Sequence, residues 1–138
     1  MKKWLLFCCI VLAGCYSPQQ SSELSNFIEA LEQQQVSVQL MANKEKSLFT
    51  QELQGQKPKT YLLNDKLLSV YTFNRSSDRS KARELFSEKT ATQNVVSYNL
   101  YEQNTLLIFY VHEQNLSVTA PYDEQIRKAL TQIREDKE

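Results

Sequence analysis

The chain has 138 residues, with 16 Lys plus Arg against 16 Asp plus Glu, so there is no basic excess to hold nucleic acid or an anionic surface by bulk charge. Its only glycines are Gly14 and Gly55, which excludes a glycine-rich phosphate loop. All three cysteines, Cys8, Cys9 and Cys15, fall in the first 15 residues, leaving the body of the chain without a disulfide framework or a cysteine metal site.

The chain opens on Lys2 and Lys3, continues through an unbroken apolar run over residues 4–12, and reaches small residues before Cys15. This is the three-part plan of an export signal. A membrane-spanning helix needs about 20 apolar residues, and the run is well short of that, so cleavage is expected rather than retention.

Leu12, Ala13, Gly14 and Cys15 together resemble the lipobox of bacterial lipoproteins. The resemblance implies that the Cys15 thiol receives a diacylglyceryl group and that cleavage falls before it. It also implies that the protein is fixed to the extracytoplasmic face of a cell membrane through that lipid. A thiolate is the side chain best suited to attack a lipid donor, and two or more acyl chains hold a protein where one does so only marginally. Cys8 and Cys9 lie inside the apolar run and leave with the signal. An ordinary secretory signal, with Cys15 left as a free thiol, is the alternative. The expected division is a signal peptide over 1–14, a lipidated tether over 15–22 and one domain over 23–138. Loss of Lys2 and Lys3 leaves 14 basic against 16 acidic residues.

Leu24, Phe27, Ile28 and Leu31 recur at helical spacing and predict a first helix over 23–34, with Ser21 or Ser22 as cap and Glu23 in its first turn. Alternation at Val36, Val38 and Leu40 predicts a short strand. Residues 41–59 carry no clear period. Two strand-like runs over 59–63 and 67–73 flank Asn64 and Asp65, which tolerate the positive φ of a hairpin turn. Ala82, Leu85 and Phe86 mark a short second helix, with Ser76 or Ser77 as cap and Asp78 in its first turn.

A second hairpin is predicted over 95–102 and 105–112, around Gln103 and Asn104; its second strand is apolar at every position from Leu106 to Val111, the mark of a central strand. Pro121 predicts the first position of a third helix, lined by Tyr122, Ile126, Ala129, Leu130 and Ile133. The fold class is therefore α+β, a mainly antiparallel sheet of about five strands with three helices packed on it, in the order α-β-β-β-α-β-β-α. This order is similar to that of small lipoproteins of Gram-positive bacteria such as bacilli.

His112, the sole histidine, sits at the end of the strongest strand beside Glu113. It serves either as a rim residue or, with nearby carboxylates, as the centre of a small envelope enzyme. The pairs Glu29 with Glu32, Glu84 with Glu88 and Asp123 with Glu124 are expected on solvated helix faces. Arg75, Arg79, Lys81 and Arg83 form a basic cluster interrupted by Asp78 and Glu84, a mixed face rather than a clean lipid-binding patch.

Tyr61, Tyr71, Tyr98, Tyr101 and Tyr110 all fall on predicted strands. Tyrosine brings contact area with a polar tip, so these residues are the candidate binding face; the simpler alternative is a sheet face covered by a helix. No catalytic group, cofactor or metal is expected. The functional expectation is a non-enzymatic binding module whose partner is an envelope protein or wall polymer, met through the sheet face or the irregular residues 41–59. A regulator or inhibitor of a membrane enzyme fits equally well.

Overall fold

The computed structural model describes residues 18–42, 46–113 and 119–135. Its elements are α1 (Pro18–Glu32), β1 (Val38–Leu40), β2 (Lys59–Leu63), β3 (Lys66–Thr72), α2 (Ser76–Thr90), β4 (Tyr98–Gln103), β5 (Leu106–Val111) and α3 (Asp123–Glu135). The five strands form one antiparallel sheet in the order β1-β2-β3-β5-β4. The expected class and element order hold.

Strand period two divides the side chains between two covers. Tyr61, Leu63, Leu68, Val70, Leu106 and Ile108 face α1 and α3, meeting Phe27, Leu31, Ile126 and Ile133. Leu107, Phe109, Val111, Tyr71 and Phe73 face the other way, toward Ala82 and Phe86 of α2 and toward Phe49 and Leu53. β5 is buried at every residue from Leu106 to Val111 because it lies between β3 and β4 with a cover on each side. Both hairpin turns place an asparagine at positive φ, Asn64 at 56° and Asn104 at 48°, a conformation that asparagine accepts more readily than most residues.

Three expectations at helix starts need correction. α1 begins at Pro18, so residues 18–22 of the expected tether are helical. Glu23 accordingly lies in the second turn, where it is 4% exposed and accepts a hydrogen bond from the Thr105 hydroxyl. α2 is preceded by Arg75 in extended conformation with no side-chain cap, so neither Ser76 nor Ser77 caps it. Pro121 stands before α3 rather than at its first position; Tyr122, at a φ of 64°, accepts the Ile126 amide and opens the helix.

Residues 46–58, unreadable from periodicity, cover part of the sheet face that α2 leaves open. Ser47 organises a turn, its amide donating to the Thr50 hydroxyl at 2.9 Å and its hydroxyl accepting the Phe49 amide at 3.2 Å. Phe49 then enters an aromatic cluster, with ring centroids 5.2 Å from Tyr98, 5.7 Å from Phe86 and 5.8 Å from Phe109. The sheet pins the segment by polar contacts: the Ser69 hydroxyl donates to the Phe49 carbonyl, and the Tyr71 hydroxyl donates to the Gln51 carbonyl at 2.6 Å. A non-periodic cover presents backbone groups to the interior, and these must be satisfied there.

Candidate binding groove and a polar network at the sheet edge

The tyrosines do not form one platform. Tyr61, Tyr101 and Tyr110 belong to the face under α1 and α3, whereas Tyr71 and Tyr98 belong to the face under α2. Tyr71 and Tyr110 are fully buried, Tyr101 is 4% exposed and Tyr61 8% exposed. Burial raises the Tyr61, Tyr71 and Tyr101 hydroxyls above their ordinary range and pushes Tyr110 up to about 12. Strands selected these rings for packing, so four of the five candidate tyrosines are core residues, and Tyr98 is partly buried against the α2 face.

His112 is 2% exposed, with its ring 5.9 Å from that of Tyr110 and its Nε2 3.3 Å from the Asn99 side-chain oxygen. Asn99 in turn donates to Asp123 at 3.0 Å, and the Tyr101 hydroxyl donates to the same carboxylate oxygen at 2.6 Å. Arg127, one helical turn beyond Asp123, donates to the other oxygen at 2.9 Å and lies 5.3 Å from the centre of the Tyr101 ring. Burial opposes charge on Asp123, but the hydrogen bonds from Arg127, Tyr101 and Asn99 outweigh it and hold the carboxyl below its ordinary range. Asp123 was expected to be a solvated dipole partner; it instead ties the start of α3 to β4.

The other carboxylate pairs, Glu29 with Glu32 and Glu84 with Glu88, are exposed on their helices as expected. Arg79 and Arg83 of the basic cluster both meet Glu102, at 3.0 and 3.3 Å. Among the described residues no three His, Cys, Asp or Glu side chains gather as a metal site.

An opening with an apolar floor lies elsewhere. A groove of about 430 Å³ runs between residues 41–42 and 47–50, the turn end of the β2–β3 hairpin and the approach to β4. Leu48, Phe49, Leu62, Leu67, Val95 and Val111 give it an apolar floor, and Val96, 50% exposed, stands on its lip. Lys66 holds one rim, 3.7 Å from Glu113 and 4.0 Å from Asp65. This volume falls within the range of ligand pockets. Sequence reasoning missed most of these residues because they come from six separate stretches; its one signal was the unpatterned 41–59 segment, of which residues 41–42 and 47–50 line the groove.

The groove also has a defined position relative to the chain start. Glu23 bonds to Thr105 at the β4–β5 turn, and in the ladder that turn lies at the opposite end of β3 from Lys66. The groove is thus at the far end of the sheet from the start of α1, and on the opposite face. Leu12, Ala13, Gly14 and Cys15 lie outside the described residues, and no described helix is long and apolar enough to cross a membrane. No family model matches the chain, nor does any curated protein or solved structure.

Proposed function

We propose that this chain is a cell-envelope lipoprotein, anchored through lipid on Cys15, whose domain is a non-enzymatic binding module that takes an apolar segment of another envelope component into the groove. The observation that carries the binding reading is the groove itself, an apolar floor behind an exposed valine. Its place far from the start of α1 supports an anchored role, since a partner reaches it without competing with the bilayer. The non-enzymatic reading is supported by the burial of His112, whose contacts with Asn99 and Tyr110 tie it into the wall of the fold.

The test is in-cell photocrosslinking of the full chain with the reactive group at Val96, compared with the same group at Glu29 on α1. Enrichment of a discrete partner from position 96 and not from position 29 is the expected outcome; identical capture from both positions overturns the groove reading. Cys15→Ala is expected to release the chain from the membrane and to abolish incorporation of labelled fatty acid. Unchanged partitioning and labelling in that variant refute the anchor while leaving the groove reading intact.

A further inference from the structure

Cys15 and Pro18, the first residue of α1, are separated by only two residues, and the chain between them spans at most about 11 Å however it is folded. α1 starts near the β4–β5 turn, where Glu23 meets Thr105, and it covers the face of the sheet opposite the groove. A helix axis stands about 10 Å from a sheet that it covers, and a helix with its side chains is about 10 Å across. Pro18 is therefore about 25 Å from the outer surface of α2, on the other side of the sheet. With lipid on Cys15 in the bilayer, the tether is too short for the domain to lie on its α2 side. α2 also begins near the same turn, with Arg79 donating to the Asn104 carbonyl, so tilting the domain toward the groove side brings α2 against the bilayer before the groove. The anchored domain either stands on its β4–β5 turn or lies on α1 and α3. In both postures the groove is held clear of the membrane.

The chemistry of the groove narrows what it takes there. Its floor is apolar, and of the charged residues that line it two are acidic, Asp65 and Glu113, and one is basic, Lys66. It has no cationic excess to hold an anionic wall polymer. Asn94, Val95 and Val96 border it ahead of β4 and make no backbone hydrogen bond to another backbone group among the described residues. Their amides and carbonyls are available to an extended backbone laid alongside, while the floor receives its apolar side chains.

Resting on the anchored, groove-binding reading above, we propose that the occupant is an extended polypeptide segment that a partner protein carries outside the bilayer, with its backbone along residues 94–96 and its apolar side chains on the groove floor. A membrane lipid and a membrane-embedded helix are excluded by reach rather than by fit. The floor suits an acyl chain, but the anchored domain cannot turn it toward one.

The test places the full lipidated chain in vesicles of phosphatidylglycerol and phosphatidylethanolamine. Cys8 and Cys9 leave with the signal and Cys15 carries the lipid, so one added cysteine is the sole free thiol. Val96→Cys and Ser22→Cys are labelled in turn with a donor dye, and energy transfer is read to an acceptor on the lipid headgroups. Transfer is expected to be strong from position 22 and weaker from position 96. Equal or stronger transfer from position 96 overturns the inference and leaves the anchor and the groove standing, whereas a chain that does not float with the vesicles overturns the anchor and the inference together. The occupant is read in cells, with a photocrosslinker at position 96 and sequencing of the crosslinked fragment. The expected adduct maps to one segment of a partner protein outside its membrane-spanning parts. Adducts to lipid, to wall polymer or to a membrane-spanning segment overturn the proposal, and the absence of any adduct overturns the groove reading on which it rests.

Discussion

On one face of the sheet α1 and α3 deliver Phe27, Leu31, Ile126 and Ile133 from regular helical stripes, and the apolar layer closes without interruption. On the other face α2 contributes only Ala82 and Phe86 as fully buried residues, and residues 46–58 supply the rest of the cover. A helix satisfies its own backbone, so a helical cover needs only an apolar stripe to dock. An irregular segment brings unsatisfied carbonyls with it, and the sheet answers with Ser69 and Tyr71, polar residues in an otherwise apolar layer. The two solutions differ in what they leave open: clefts beside α3 are lined mainly by polar residues, whereas the irregular cover leaves a groove with an apolar floor at its edge.

The largest expected effect lies on the face under α1 and α3. Phe27 is fully buried, and Phe27→Ala is expected to cost about 3–5 kcal/mol by loss of transfer energy and creation of a cavity, measured by denaturant unfolding. On the irregular face Tyr71→Phe removes a hydroxyl that donates to a carbonyl of the cover while preserving the ring. It is expected to cost about 1–3 kcal/mol and to expose residues 46–58 to faster proteolysis. A loss of stability without that local effect would show that the cover is held by Phe49 packing alone.

The polar network at the end of β4 adds a pH-dependent contribution to the face under α1 and α3. The Asp123 carboxyl is lowered in the folded state, so its contribution to stability is present above the unfolded value of about 4 and disappears as the pH falls through the lowered one. The difference in unfolding free energy between the native chain and Asp123→Asn is expected to shrink on acidification below about pH 4. A difference constant with pH would mean that the carboxylate charge contributes nothing. The smallest stability effect belongs to the groove: Val96 is half exposed, and Val96→Ser is expected to alter stability by less than about 0.5 kcal/mol while reducing partner capture by the groove.

Two further features separate what periodicity can reveal from what it cannot. The 3.6-residue stripe of α3 and the continuous apolar run of β5 predicted both elements and their burial, because a residue on a regular element has its direction fixed by its number in the chain. The same rule predicted that alternating tyrosines lie on strands but could not say that Tyr71 and Tyr101 point to opposite faces. That depends on which strands pair and in which register. The Asp123 network was hidden for a similar reason: Asn99 and Tyr101 reach the carboxylate from 24 and 22 residues away.

The sequence by itself determined the element order, the two asparagine turns, the central place of the strand from Leu106 to Val111 and the lipobox expectation at Cys15, since each of these rests on local chemistry or local period. Tertiary structure alone decided that Tyr61, Tyr71, Tyr101 and Tyr110 are core, that His112 is buried, that residues 46–58 form a cover and that a groove opens beside them. These are relations between segments distant in the chain, set by sheet pairing and by the space that imperfectly matched covers leave.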